Sequence, residues 1–162
     1  MTKPAGSAAP LSTPEAVRRK ALALLERRDY GAAELTEKLV EKGAERADAE
    51  AAAARMVEYG FINDENYAAM VARHYAAKGY GAARIREELR RRRLGRELWD
   101  AALDAVPDNS DAAYRLFAAK MRGASGPDAA RKASAALIRR GFGWDEVRAA
   151  MERYLAETEN NE

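Results

Sequence analysis

Apolar residues recur along this chain at helical spacing, and runs of the β-branched residues that favour strands are absent. Val17, Ala21, Leu24 and Leu25 share one face of a helix that opens at Ser12-Thr13-Pro14-Glu15, with a hydroxyl cap, Pro in the first turn and Glu15 three places after Ser12. This helix fades at Arg28-Asp29. Gly31 or Asp29 caps a second helix, which turns Leu35, Leu39 and Val40 inward and ends at Gly43. A third runs from Ala47 to Tyr59 and closes at Gly60. The pattern then restarts. Asn63 or Asp64 caps a helix bearing Tyr67, Val71 and Tyr75. The next, from Gly81, carries Ile85 and Leu89, and another carries Leu98, Trp99, Ala102, Leu103 and Val106 before Pro107 stops it. A last cycle places Tyr114, Leu116, Phe117 and Met121 on one helix and breaks at Gly123 to Pro127. It continues through ALIRRGF and ends on a helix with Val147, Met151, Tyr154 and Leu155.

The cycles also share wording. DYGAAELTEKLVEKG (29–43) returns as GYGAARIREELRRRR (79–93), 50 positions on, and WDAAL (99–103) matches VRAAM (147–151) at a spacing of 48. In this reading Gly starts the middle helix of each unit and Ala-Ala lets it approach its neighbours. The expectation is an all-α fold of three tandem three-helix repeats, residues 13–60, 61–107 and 108–158, behind a disordered tail of residues 1–12. Units this small bury too little alone, so neighbours stack into an elongated, curved array.

Composition agrees with helices. Ala dominates the 48% of hydrophobic residues, so tight helix packing is favoured over a thick sheet core. The absence of cysteine excludes disulfides and thiol chemistry. No segment approaches the roughly 20 apolar residues of a membrane span, and MTKPAGSAAPLST has no apolar core of a signal peptide. A cytoplasmic protein without membrane contact is expected. His74 is the one histidine, with no second His or Cys to share a metal, and Asp64-Glu65 and Asp145-Glu146 sit at helix starts, where the dipole favours acids. Neither a Ser/His/Asp arrangement nor a phosphate loop is present. No catalytic, metal or cofactor site is expected, hence no enzyme. Tyr30, Tyr59, Phe61, Tyr67, Tyr75 and Tyr80 read as packing or hinge residues, with Tyr30 and Tyr80 the two most open to exposure.

Charge changes the picture. The net charge is only +2, yet from Arg73 to Arg96 nine basic residues face Glu87 and Glu88 alone, giving +7 there and −5 elsewhere. Such asymmetry points to a polyanionic partner. With Ile85 and Leu89 buried, Arg84 and Arg91 fall to one side of the solvent face and Arg86 and Arg90 to the other, while Arg92 and Arg93 flank the helix end. Lys78 and Tyr80, at the hinge, complete the candidate set. A solvated face is the alternative, with Glu87 pairing Arg91 and Glu88 pairing Arg92 at i, i+4. Arg throughout, where Lys would serve solvation, favours bidentate contact with phosphate or carboxylate.

Three motifs in order carry a resemblance. GFINDENYAAMVARHYAAKGYGAARIREEL (60–89), RRDYGAAELTEKLVEKG in the first unit and the closing LIRRGFGWDEV together resemble the RecX family of regulatory proteins, over residues 16–155. Two positions depart from it: Ala82 stands where the family often has Pro, and Gly31 where it has a Ser/Thr-like cap. The resemblance implies a non-enzymatic modulator, built of three-helix repeats, that binds the RecA–DNA filament. It also implies restraint of ATP hydrolysis, filament growth and strand exchange, in recombination, DNA repair and the SOS response. Arg84, Arg90, Arg91 and Arg92 would then face the filament or its DNA. A monomer is expected. The alternative is a free-standing nucleic-acid-binding protein acting without RecA.

Overall fold

The computed structural model describes residues 10–161, so the first nine positions of the expected tail lie outside the described residues. Among the described residues there are nine α-helices and no strand. They are α1 (Pro14–Arg27), α2 (Ala32–Glu41), α3 (Arg46–Glu58), α4 (Asp64–Ala77), α5 (Ala82–Arg91), α6 (Trp99–Asp104), α7 (Ser110–Met121), α8 (Gly126–Arg139) and α9 (Trp144–Glu159), with a 3₁₀ turn, Arg96–Leu98, leading into α6. Two compact units emerge: residues up to Tyr67 with Arg92–Leu94, and Ala68–Arg91 with Gly95 onward.

In the first unit α1, α2 and α3 close around Val17, Ala21, Leu35, Leu39 and Met56, with Leu11 packed against them from before α1. Ala49, Ala52 and Ala53 give α3 a nearly smooth buried face. The α1 cap is Thr13, not Ser12: its Oγ1 accepts from the Ala16 N–H at 3.1 Å. Pro14 begins the helix, so the residue directly before it holds the cap position. At the α4 start Asn63 Oδ1 accepts from the Asn66 N–H (3.0 Å), leaving Asp64 Oδ1 to accept from the Ala32 N–H (2.9 Å) and thus cap α2. Glu34 gathers the same corner. It accepts from the Gly31 N–H (3.4 Å), the Tyr67 hydroxyl (3.1 Å) and Arg28 (3.3 Å), while Arg28 also lies 3.6 Å from the Tyr30 ring centre. Burial, with the Glu34 carboxylate alongside, pushes the Tyr67 phenol up to about 12, against the opposing pull of Arg92 and Arg28.

The packing reading of the aromatics holds for Tyr30 and fails for two others. Tyr30 is buried, whereas Tyr59 and Phe61 are each 57% exposed. Gly60, at φ +79, turns the chain so that Ile62, rather than Phe61, enters the core.

The second unit has its largest core among α7, α8 and α9: Phe117, Met121, Leu137, Phe142 and Val147, with Tyr154 edge-on to Phe117. Leu155, expected inside, is exposed. The expected break ends earlier than Pro127, because Gly123 and Gly126, both at positive φ, complete the turn and Pro127 already sits in the first turn of α8.

The start of α5 meets the α8–α9 turn backbone to backbone. Gly81 N–H donates to the Arg140 carbonyl (2.8 Å) and Ala83 N–H to the Gly141 carbonyl (3.1 Å). A Cβ at position 81 would lie 2.4 Å from both C and O of Gly141. Asn109 Nδ2 adds a bond to the Tyr80 carbonyl (3.1 Å). At α5 glycine therefore makes the closest approach; of the Ala-Ala pairs, Ala33 and Ala83 are exposed, while Ala32 packs against the first core. The first hinge is looser, since a Cβ on Gly31 would meet only side-chain ends, Leu94 Cδ2 at 3.2 Å and Asp64 Oδ1 at 3.3 Å. Gly81→Ala is therefore expected to destabilise the protein by about 2–3 kcal/mol, and Gly31→Ala by less than about 1, in paired urea melts. Equal losses would show that both hinges rest on the same contact.

Candidate functional site

Helix α5 holds its candidate residues by a narrow seam. Ile85 and Leu89 are buried, and Glu88, also turned inward, is only 4% exposed. Arg84 Nη2 reaches Glu88 Oε1 at 2.9 Å from one turn before, and Arg91 Nη1 reaches the same oxygen at 3.4 Å from one turn after. The two arginines placed on one side by helical geometry thus share one carboxylate. Glu87 pairs with Arg90 at 2.7 Å, not with Arg91 as expected, because Arg91 is engaged by Glu88. Arg86 and Arg90 stand exposed on the outer face. A carboxylate enclosed between two guanidiniums fixes their directions, and losing it would leave buried charge uncompensated.

Arg92 and Arg93 follow α5 in the stretch that belongs to the first unit. Arg92 is half-buried and its charge acts on the Tyr67 phenol, while Arg93 is exposed and lowers the Glu37 carboxyl weakly, behind the stronger hydrogen bond from Arg46. Arg93 has φ +56, the left-handed region that glycine tolerates and other residues occupy at a cost. Fifty positions earlier the equivalent residue is Gly43, at φ +104. The second copy places a guanidinium where the backbone asks for glycine.

The remaining candidates collect at the hinge. Lys78 Nζ lies 5.5 Å from the Tyr75 ring centre and Arg84 Cζ 5.3 Å from that of Tyr80. Arg140, which the sequence reading did not single out, lies nearer still: Cζ is 4.2 Å from the Tyr80 ring centre and Nη2 donates to the Lys78 carbonyl at 3.2 Å. It comes from the α8–α9 turn, 60 positions after Tyr80, so no local spacing could reveal it. Among the described residues no group of three or more His, Asp or Glu could hold a metal ion, and no helix is long and apolar enough to cross a membrane.

Two family models match: residues 18–56 fit the first three-helix domain of RecX and residues 63–103 the second. The regulatory protein RecX of Pseudomonas savastanoi pv. phaseolicola is 40% identical over 124 residues, covering 76% of this chain and 80% of that one. The chain belongs to the RecX family. The regulatory protein RecX of Vibrio campbellii is 35% identical over 136 residues, covering 81% of this chain and 86% of its own. A crystal structure of RecX from Lactobacillus salivarius shares the fold, with a TM-score of 0.80 at 18% identity over 86% of this chain and 95% of that one. The second RecX domain match holds Lys78, Tyr80 and every candidate arginine of α5 and its end, whereas Arg140 lies beyond both matches.

The left-handed position bears on stability in this RecX-family chain, because a side chain there carries a Cβ penalty. Arg93→Gly is expected to stabilise the protein by about 1 kcal/mol, a rise in Tm of about 2–4 °C, by removing the Cβ penalty. An unchanged or lower Tm in calorimetry would mean that Arg93 contacts outweigh its strain.

Proposed function

We propose that this protein is a non-enzymatic regulator that binds the RecA–DNA filament and restrains ATP hydrolysis, filament extension and strand exchange in recombination and DNA repair. Membership of a family whose relatives carry the description regulatory protein supports the regulatory part. The observation that carries the choice of surface is α5 with its end: Arg86 and Arg90 exposed on one face, Arg84 and Arg91 fixed by Glu88, and Arg93 held at a glycine position. A helix that needed only solvation has no reason to accept that last strain. Arginine there suits phosphate or carboxylate, the chemistries of a DNA backbone and of an acidic protein groove. On this reading the chain works as three tandem three-helix repeats, 13–60, 61–107 and 108–158, of which the middle one presents the charge; it acts as a monomer in the cytoplasm.

Titrated into RecA assembled on single-stranded DNA, the protein is expected to lower DNA-dependent ATP hydrolysis at near-stoichiometric amounts. A rate unchanged across a wide concentration range sinks the proposal. The double variant Arg86→Glu, Arg90→Glu is expected to keep its melting within about 0.5 kcal/mol and to bind filaments at least about tenfold more weakly. Retained binding would place the contact elsewhere. A free-standing DNA-binding protein would instead bind DNA tightly without RecA, with a salt slope of about −0.9 for each duplex phosphate neutralised.

A further inference from the structure

We infer that Arg140 completes a strand-binding site at the hinge of the basic helix, together with Lys78, Tyr80 and Arg84, and that its ligand is a single DNA strand. The inference rests on reading α5 as a polyanion-facing helix and extends that face to the turn after α8. Charge comes first. Arg84 and Arg140 both lie over the Tyr80 ring, Arg140 is bonded to the Lys78 carbonyl, and the Lys78 ammonium lies over the neighbouring Tyr75 ring, so three cations border two adjoining rings. Glu88 is engaged with Arg84 and Arg91, and among the described residues neither Lys78 nor Arg140 forms an ion pair with a carboxylate.

Rigidity comes next. The bonds from Gly81 N–H to the Arg140 carbonyl and from Ala83 N–H to the Gly141 carbonyl fix the backbone that carries Arg140. Its guanidinium is then pinned by the Lys78 carbonyl and by the ring beneath it. A cation held in this way gives up little rotamer freedom on binding, unlike an arginine on an open helix face.

The planes choose the ligand. Unpaired bases stack on guanidinium planes and aromatic rings, while phosphates take the N–H groups. More rings follow: Tyr75 lies 5.8 Å from Tyr80 between centres, and the exposed His74 stands edge-on to Tyr75 at 5.4 Å. A cationic patch interleaved with rings is what a single strand requires, since every base has a π-face. An acidic peptide would use the charges and leave the rings idle, and duplex DNA keeps its bases stacked away from them.

The test is fluorescence anisotropy of the full chain with a labelled dT oligonucleotide of about 20 nucleotides, longer than the ~4–16 that such sites occupy. Arg140→Gln keeps an N–H donor but removes the charge and the guanidinium plane. It is expected to bind about five- to tenfold more weakly than wild type, with a salt slope shallower by about 0.7. Arg131→Gln, removing an exposed charge elsewhere on α8, is expected to bind as wild type does. Arg140→Lys keeps the charge without the plane and is expected to keep the slope but bind less tightly. No oligonucleotide binding by wild type at low salt, equal losses in the two Gln variants, full affinity in Arg140→Lys, or equal competition by polyglutamate would each overturn the inference. If Arg140→Gln binds normally while Arg86→Glu, Arg90→Glu has lost filament binding, this inference falls and the reading of α5 stands. If neither variant changes either readout, both fall.

Discussion

At the start of the basic helix two stretches of backbone come closer than any side chain permits. The first-turn N–H groups of an α-helix have no partner within it, and here two of them, from Gly81 and Ala83, are met by the carbonyls of Arg140 and Gly141. The contact is mutual: a Cβ on Gly141 would fall 2.5 Å from the Arg84 nitrogen, and Gly141 is also held at φ +95. One joint thereby satisfies a helix terminus, sets where α5 begins and binds the α8–α9 turn to it. What α5 presents, and which residues of the second unit accompany it, follow from this approach.

The first copy of the phrase solves the same problem with different chemistry. Asp64 caps Ala32 through a carboxylate, and Glu34 accepts from Gly31 N–H, Tyr67 and Arg28. Acids at a helix N-terminus complement its dipole, so that corner is locally stable and electrically quiet. The second copy uses neutral carbonyls instead. They satisfy the donors without adding negative charge, and position 84, the counterpart of Glu34, is Arg. A carboxylate cap at Gly81 would have stood beside Lys78 and Arg84 and cancelled part of the field. The backbone joint keeps this end of α5 cationic.

Much of this was legible beforehand, and the exceptions have physical causes. Period 3.6 with Gly and Pro punctuation placed the helices, because α2 and α5 each bury one narrow stripe, Leu35 with Leu39 and Ile85 with Leu89. The shared side of Arg84 and Arg91 was likewise readable, since helical geometry is local. Part of what escaped was a local backbone turn: Phe61 is exposed because Gly60 turns it away. The rest was set by partners distant in sequence. The capping role of Asp64 depends on a residue 32 positions earlier, and Arg140 joins the hinge from 60 positions after Tyr80. Hydrophobic periodicity has no term for a backbone-to-backbone contact, so the reason for glycine at 81 could not be read from the repeat.

The two copies act as a control for each other. They share length, stripe and helix type, so the charge differences between them are not needed to form the helix. Three differences all run one way. Val40 and Glu41 become Arg90 and Arg91, the Glu34 corner becomes the Arg84–Glu88 pair, and Gly43 becomes Arg93 at positive φ. The arginines at 90 and 91 add like charge and the one at 93 adds strain, while Glu87 and Glu88 on α5 offset part of the charge. Burying Glu88 between two guanidiniums is a poor way to add stability, because desolvation offsets most of the attraction. It is an effective way to hold two arginines in fixed directions. Where a helix accepts like-charge crowding, a left-handed arginine and an enclosed carboxylate within three turns, while its twin accepts none of these, helix formation alone does not account for the added charge.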